Sequence, residues 1–343
     1  MKKVLSLLLA LILVLTACGE GGGTTTADSA NHTTAVVAPR YSVNLGLLAG
    51  PTGMGAAKLL QEAEVIQSSN HYNYTLFNAP DEVTAKLISG ELDIAAVPTN
   101  LAAVLYQKTK GGVQLLALNT LGVLHLVSSA DNVIIRGVED LVNQTIYSSG
   151  QGAVPEYVLN YLLDSYGIRD KVTVIYEAEH DAVVAALASG KAKIAVLPEP
   201  KVTAALIQVE GLRNELDLTL EWNRAAEKAG AAGSILSMGC VVVRTEYAKE
   251  NPQAVQYFLR EYQASIEYMK DSANLDRAAD LCEKFGIIPK AAVAKKAMAG
   301  ANLCFVSGEE MKAQIAPFYQ ILFNYTPASV GGTLPDDGFY YGK

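Results

Sequence analysis

One arrangement of apolar and polar positions occurs twice along this chain, a hundred residues apart. Residues 81–98 and 181–198 share Asp81/Asp181, Val83/Val183, Ala85/Ala185, Leu87/Leu187, Ser89/Ser189, Gly90/Gly190, Ile94/Ile194, Ala95/Ala195 and Pro98/Pro198. In each copy apolar residues recur every three or four positions, which predicts a helix. The aspartate is read as its N-cap, and the glycine as its stop. A short apolar run then predicts a buried strand, Leu92–Val97 or Ile194–Leu197. Proline ends that strand and opens a loop, at Thr99 and Asn100 in the first copy and at Glu199 in the second. A matching unit precedes each copy. Tyr41–Ala49 reads as a strand running into a turn at Gly50–Gly55 and a helix through Lys58, Leu59, Leu60 and Ala63. Thr145–Tyr147 likewise runs into a turn at Ser148–Ala153, then a helix from about Pro155 through Tyr161 and Leu162, with proline suited to the first helical turn. Strands alternating with helices imply parallel α/β layers.

Two such halves can form one continuous doubly wound sheet or two lobes. Val113–Ser129 is mostly apolar, interrupted at Asn119-Thr120, and reads as a strand that leaves one lobe and enters the other. Ile235–Val243 is the expected return crossing, and everything after Asn251-Pro252 is expected to be helices packed on the first lobe. Two crossing strands make a hinge, and a hinge makes a closable cleft. The expected organisation is residues 40–119 plus 246–343 as lobe 1 and 120–245 as lobe 2. About 300 residues is more than one ordinary core holds, which favours two lobes.

The first residues read as addressing rather than fold. Lys2 and Lys3 precede an apolar run, Val4–Leu15, too short for a spanning helix of about 20 residues. The run ends in Leu15-Thr16-Ala17-Cys18, which resembles the lipobox of bacterial lipoproteins. That resemblance implies a signal peptide at 1–17 and a lipid anchor on Cys18; the alternative is an ordinary secretory signal with an incidental cysteine. Residues 18–39, rich in Gly, Thr, Ser and Asn, read as a flexible tether. The formal net charge is −8, and no basic patch stands out, so nucleic acid is not an expected partner. Cys240 reads as a buried strand residue; Cys282 and Cys304 could pair, which spacing does not decide. No two cysteines have metal-site spacing, and no metal or cofactor is expected.

The order of these features resembles the periplasmic-binding-protein type II fold, in the group serving nitrate, sulfonate, taurine and thiamine-precursor importers. The residues that carry it are Cys18, the paired helix–Gly–strand–Pro units, Gly137-Val138-Glu139-Asp140-Leu141 ahead of a strand, and Val241–Pro252 with its Glu250-Asn251-Pro252 turn. The likeness runs from about Tyr41 to Asn324. It implies two Rossmann-like α/β lobes joined by two hinge strands, with a ligand cleft between them. It further implies an extracytoplasmic, monomeric solute-binding lipoprotein of an ABC importer, held at the outer face of the membrane. Such a chain delivers a small solute to permease and ATPase subunits on other chains.

In an open α/β sheet ligands bind outside the carboxyl ends of the strands. The candidate ligand-binding residues are therefore Pro51, Thr52, Gly53, Met54, Thr99 and Asn100 from the first half. Ser149, Gly150, Gln151, Gly152, Ala153 and Glu199 come from the second, with Asn119 reaching in from the hinge. Both Gly-rich turns would offer backbone N–H groups and a positive helix end to a polar or anionic solute; alternatively the glycines only permit tight turns. Bulky residues at Gly53 and Gly152 would then abolish binding without unfolding. Glu199 either accepts hydrogen bonds from the solute or is a solvated loop residue, and Asn119 and Thr120 either reach it or satisfy backbone groups. Trp222, the only tryptophan, either stacks on a planar ligand or packs between lobes. Gly50–Gly55 lacks the Lys-Ser/Thr of a P-loop, and neither Gly-x-Gly carries the third glycine of a dinucleotide fingerprint. No Gly-x-Ser-x-Gly or His-Glu-x-x-His occurs, and His32, His71, His125 and His180 are scattered, so an enzyme is not expected. A sensor of the same fold is the alternative, with a thiamine-pyrimidine-forming enzyme behind it.

Overall fold

The computed structural model describes residues 40–129, 134–231 and 233–342; Cys18 and the tether lie outside them. The first half contains β1 (Ser42–Leu48), α1 (Pro51–Met54), α2 (Ala57–Glu64), β2 (His71–Phe77), α3 (Pro80–Ser89), β3 (Ile94–Pro98), α4 (Thr99–Lys108) and β4 (Val113–Leu121). After a break at Gly122-Val123 come β5 (Leu124–Ser128), β6 (Thr145–Ser148), α5 (Val154–Ser165), β7 (Thr173–Tyr176), α6 (His180–Ala188), β8 (Ile194–Pro198), α7 (Lys201–Gln208), β9 (Arg213–Asp217) and α8 (Leu218–Lys228). The chain returns through β10 (Ser237–Arg244), α9 (Thr245–Glu250), α10 (Pro252–Lys270), α11 (Leu275–Lys284), α12 (Ala291–Ala297), β11 (Leu303–Ser307) and α13 (Gly308–Tyr325).

These strands form two sheets, ordered β11-β4-β10-β3-β1-β2 and β7-β6-β8-β5-β9. The hundred-residue repeat is visible in the pairing. β1 is parallel to β2 and β3, as β6 is to β7 and β8. One antiparallel strand closes each trio, β10 on β3 and β5 on β8. Ile94–Val97 and Ile194–Leu197 are buried throughout, as central strands covered on both faces must be. The architecture is thus two α/β lobes, and the single doubly wound sheet is excluded.

The details differ from expectation where local chemistry outweighs pattern. Asp81 and Asp181 do not cap their helices: Pro80 and His180 take the first helical position, after Ala79 and Glu179. The acids sit in the first turn, where they still meet the positive end of the helix dipole. Gly90 and Gly190 do adopt the left-handed conformation, at φ 82° and 73°, that lets a helix end. β10 belongs to the first sheet from Ser237 onward, so the return passage lies between Lys228 and Ser237 rather than within a strand. The C-terminal stretch is not all helix, because Leu303–Ser307 pairs antiparallel to β4 as the sheet's edge. Cys240, Cys282 and Cys304 are buried free thiols, so the pairing left open for Cys282 and Cys304 is not made. Among the described residues no helix is long and apolar enough to cross a membrane.

Candidate functional site

The carboxyl ends of β1, β3, β6 and β8 carry the candidate loops. In the first half, Gly50 leaves β1 at φ 96°, and its carbonyl accepts from the N–H groups of Gly53 and Met54 (3.1 and 3.2 Å), so the expected turn is itself helical. Gly53 and Met54 are buried by this, and Met54 joins the hydrophobic core rather than a cleft. Pro51 and Thr52 remain half-buried at the surface of the turn. A Cβ on Gly53 would lie 2.2 Å from the carbonyl oxygen of Leu48, so this glycine is a packing requirement. The expectation that it could be enlarged without unfolding is therefore corrected.

Asn119 is held at the end of β4. Its amide donates to the Thr52 carbonyl (3.0 Å) and the Tyr262 hydroxyl (2.9 Å), while the Thr120 hydroxyl donates to Asn119 Oδ1 (3.0 Å). Three side-chain oxygens pack closely against Gly239. A Cβ built on Gly239 would meet Asn119 Oδ1 at 2.6 Å, Thr52 Oγ1 at 2.9 Å and Thr120 Oγ1 at 3.1 Å. Thr99 lies beside them, its hydroxyl 2.9 Å from that of Ser237, which also reaches the Thr120 carbonyl. Asn100 is not part of this group: it is buried in the first turn of α4 and its amide donates to the Ser329 carbonyl at 3.4 Å. Tyr262, Ser237 and Gly239 were missed, since nothing local in their sequence sets them apart; strand pairing places Ser237 and Gly239 here, and the packing of α10 places Tyr262. Replacing Asn119 by alanine leaves the Thr52 carbonyl and Tyr262 hydroxyl without their donor. Unfolding in urea should then show a loss of about 1–3 kcal/mol.

In the second half, Ser149 follows β6, is 1% exposed, and its hydroxyl is hydrogen-bonded to Nδ1 of His180 at the start of α6. Gly150 and Gly152 both stand at φ 77°. Two of the N–H groups that were expected to seat an anion are engaged within the turn. Ala153 N–H donates to the Gly150 carbonyl (3.0 Å), and Gly152 N–H to the Glu156 carboxylate (2.6 Å). An anionic solute would have to displace that carboxylate to reach the Gly152 N–H. Gln151 and Gly152 are exposed.

Glu199 is not a solvated loop residue. It is 7% exposed, its N–H donates to the Val123 carbonyl (2.9 Å), and its carboxylate accepts from the Thr203 N–H and hydroxyl (3.2 and 3.0 Å). It also touches the other half: a Cβ on Gly300, just ahead of β11, would lie 3.2 Å from Glu199 Oε1. Burial raises the Glu199 carboxyl above the usual range, against the Thr203 hydrogen bonds. Burial lowers His180, and the charge of Lys201 adds to this. A histidine kept neutral in the fold opposes unfolding fully above about pH 6.5, its unperturbed value, and loses that contribution as pH falls. Stability should therefore decline below about pH 6.5, and less steeply in His180→Gln, when unfolding is followed across pH 5–8.

The structure thus gathers Thr52, Asn119 and Thr120 around Gly239, holds Thr99 against Ser237, and sets Glu199 close to Gly300. The hydrogen bonds of Ser149 and Gly150–Ala153 run within the second half.

A family model described as NMT1/THI5 like matches residues 76–273. No curated protein sequence matches the chain. Among solved structures, an ABC transporter from Parabacteroides distasonis is 24% identical, with a TM-score of 0.73 over 88% of this chain and 99% of that one. The periplasmic aliphatic sulphonate binding protein SsuA from Escherichia coli is 16% identical, with a TM-score of 0.70 over 88% and 92%. The periplasmic nitrate-binding protein NrtA from Synechocystis PCC 6803 is 12% identical, with a TM-score of 0.56 over 79% and 74%.

Proposed function

The chain belongs to the NMT1/THI5-like family, its matched segment spanning more than half of the sequence, and from that premise we propose that it is the extracytoplasmic solute-binding component of an ABC importer. A small polar solute enters between the two lobes, which close on it and present it to permease and ATPase subunits on other chains. The observation that carries this reading is the convergence at Gly239. Oxygens of Thr52, Asn119 and Thr120, on the segment following β1 and on β4, surround a position where any side chain would collide. That floor lies where the two sheets meet, since β4 gives way to β5 immediately beyond Thr120 and Leu121. The groups gathered there are amide and hydroxyl, with no carboxylate or imidazole among them, which suits holding a solute and not transforming it.

Within this reading Thr52, Thr99 and Asn119 form the floor, Ser149–Ala153 the facing turn, and Glu199 the side at which the lobes touch. The lobes divide where the chain changes sheets, at Gly122 and between Lys228 and Ser237. Cys18 is proposed to carry the lipid that holds a monomer at the outer face of the membrane. The sulphonate- and nitrate-binding neighbours support a solute of comparable size.

A solute present at a hundred times its dissociation constant stabilises the folded state by about 2.7 kcal/mol. A thermal-shift panel of small organic acids, amines and heterocycles should therefore contain compounds that raise the melting temperature by several degrees. Native mass spectrometry should then show one bound per chain. A panel that leaves the transition unmoved throughout would overturn the reading.

A further inference from the structure

His180 lay outside the expected site, yet it decides what the second turn offers a solute. Ser149 is 1% exposed, and the hydrogen bond its hydroxyl makes is to Nδ1 of the imidazole. A buried O–H without an acceptor costs about 1–3 kcal/mol. If Nδ1 carried the ring's proton, it would donate to Ser149, and the serine's own proton would have nowhere to go. The stable arrangement is the reverse: serine donates, Nδ1 accepts, and the ring proton sits on Nε2.

We propose that His180 is a positioning residue that turns the Ser149 hydroxyl into an acceptor, so that this turn selects solutes bearing a hydrogen-bond-donating nitrogen. The inference rests on the proposed solute-binding role and names the chemical class for it. Two further features agree. The Glu156 carboxylate already occupies the Gly152 N–H, and Glu199 adds a second carboxylate close to Gly300 of the other lobe. No arginine lies in the four loops. An acceptor-rich crevice pairs with N–H groups, not with an anion that offers only oxygens.

The charged groups facing the ring are few. Lys201 on α7 is held 2.5 Å from Asp181 on α6 itself, and both act on His180 in opposite senses. β6 and β8 also pack on α6; Ser148 ends the one, and the other is the apolar run Ile194–Pro198. Acidification that protonates Nδ1 reverses the hydrogen bond. Ser149 then accepts from the ring and offers its own proton to the solute, so preference for N–H groups should weaken at low pH.

The test has two arms. Protein labelled with 15N-histidine and free of solute should show His180, assigned by its loss in His180→Gln, as a neutral ring with unprotonated Nδ1 at pH 7. Ser149→Ala should move its titration midpoint while leaving far-UV circular dichroism unchanged. Protonated Nδ1 at pH 7, or signals indifferent to Ser149→Ala, overturns the proposal. In the second arm taurine and cytosine should raise the melting temperature, whereas ethanesulfonate, which is taurine without its ammonium group, and nitrate should not. Affinity for the N–H-bearing probes should fall at least tenfold in Ser149→Ala and decline between pH 7 and pH 5. Equal or stronger stabilisation by ethanesulfonate or nitrate overturns the class, as does no response to any of the four when other compounds of the thermal-shift panel do stabilise. Failure of the broader solute-binding role would instead appear as a silent panel together with the expected imidazole signals.

Discussion

Gly53→Ala should destabilise the protein by about 3 kcal/mol or more, while the same change at Gly152 should cost about 1–2 kcal/mol. Both glycines sit in equivalent turns, after β1 and after β6, but their surroundings are opposite. At Gly53 an added methyl would stand 2.2 Å from the Leu48 carbonyl oxygen, 3.3 Å from the Leu48 carbonyl carbon and 3.5 Å from Ile287 Cγ2. Two of those atoms are backbone, and α1 cannot retreat, because Gly53 and Met54 are both tied to Gly50. Relief requires β1 and the helical turn to separate at the edge of a filled core, and overpacking of this kind costs 1–3 kcal/mol and sometimes more. At Gly152 nothing lies within 4 Å, so the penalty is that of placing alanine at φ 77°, roughly 1–2 kcal/mol. Urea unfolding at constant m-value should resolve the two, and for a chain of this size the Gly53 variant should melt roughly 6–12 °C lower. Equal losses at both positions would mean that the tight contact with Leu48 relaxes freely. The pair also separates folding from binding: only a variant at Gly152 reports on solute without first disturbing the lobe.

That distinction shows what sequence can and cannot carry here. The repeat made the architecture legible, because helix, glycine stop and apolar strand are local signals read within a few residues. Ile94–Pro98 and Ile194–Pro198 emerge as equivalent central strands for this reason. The edges were harder. Arg213–Asp217 is polar enough to pass for a loop, and Leu303–Ser307 is short, so partners rather than composition make them strands. The site was legible only where it follows from strand ends. Thr52, Thr99 and Asn119 could be named, but Gly239, Tyr262 and Ser237 reach them across 119 or more residues of sequence separation or through sheet pairing that no local pattern encodes. Turn N–H groups look available in any glycine-rich loop; whether a nearby carboxylate such as Glu156 already takes them is a tertiary fact. His180 read as an isolated histidine beside a helix start, and its pairing with Ser149 spans 31 residues.

Trp222→Ala should cost about 3–5 kcal/mol, the range for emptying a filled aromatic site, and lower the melting temperature by roughly 10 °C. Trp222 is fully buried on α8, with Tyr161 of α5 at 4.6 Å and Phe318 of α13 at 5.6 Å between ring centroids. Its indole N–H reaches the Ser234 hydroxyl at 3.4 Å, which satisfies the one polar atom it buries. The contact with Phe318 matters most, because α13 packs on β4 and β11 of the first sheet while α8 packs on β5 and β9 of the second. Trp222 thus helps tie the cores of the two halves together. Truncation removes that tie as well as buried area, so calorimetry should show a broadened transition in which the halves begin to unfold separately, whereas Trp222→Phe should restore most of the loss. A Trp222→Ala protein that melts within about 2 °C of the parent but no longer responds to stabilising solutes would reverse the assignment. The indole would then be acting on the ligand and not on the fold.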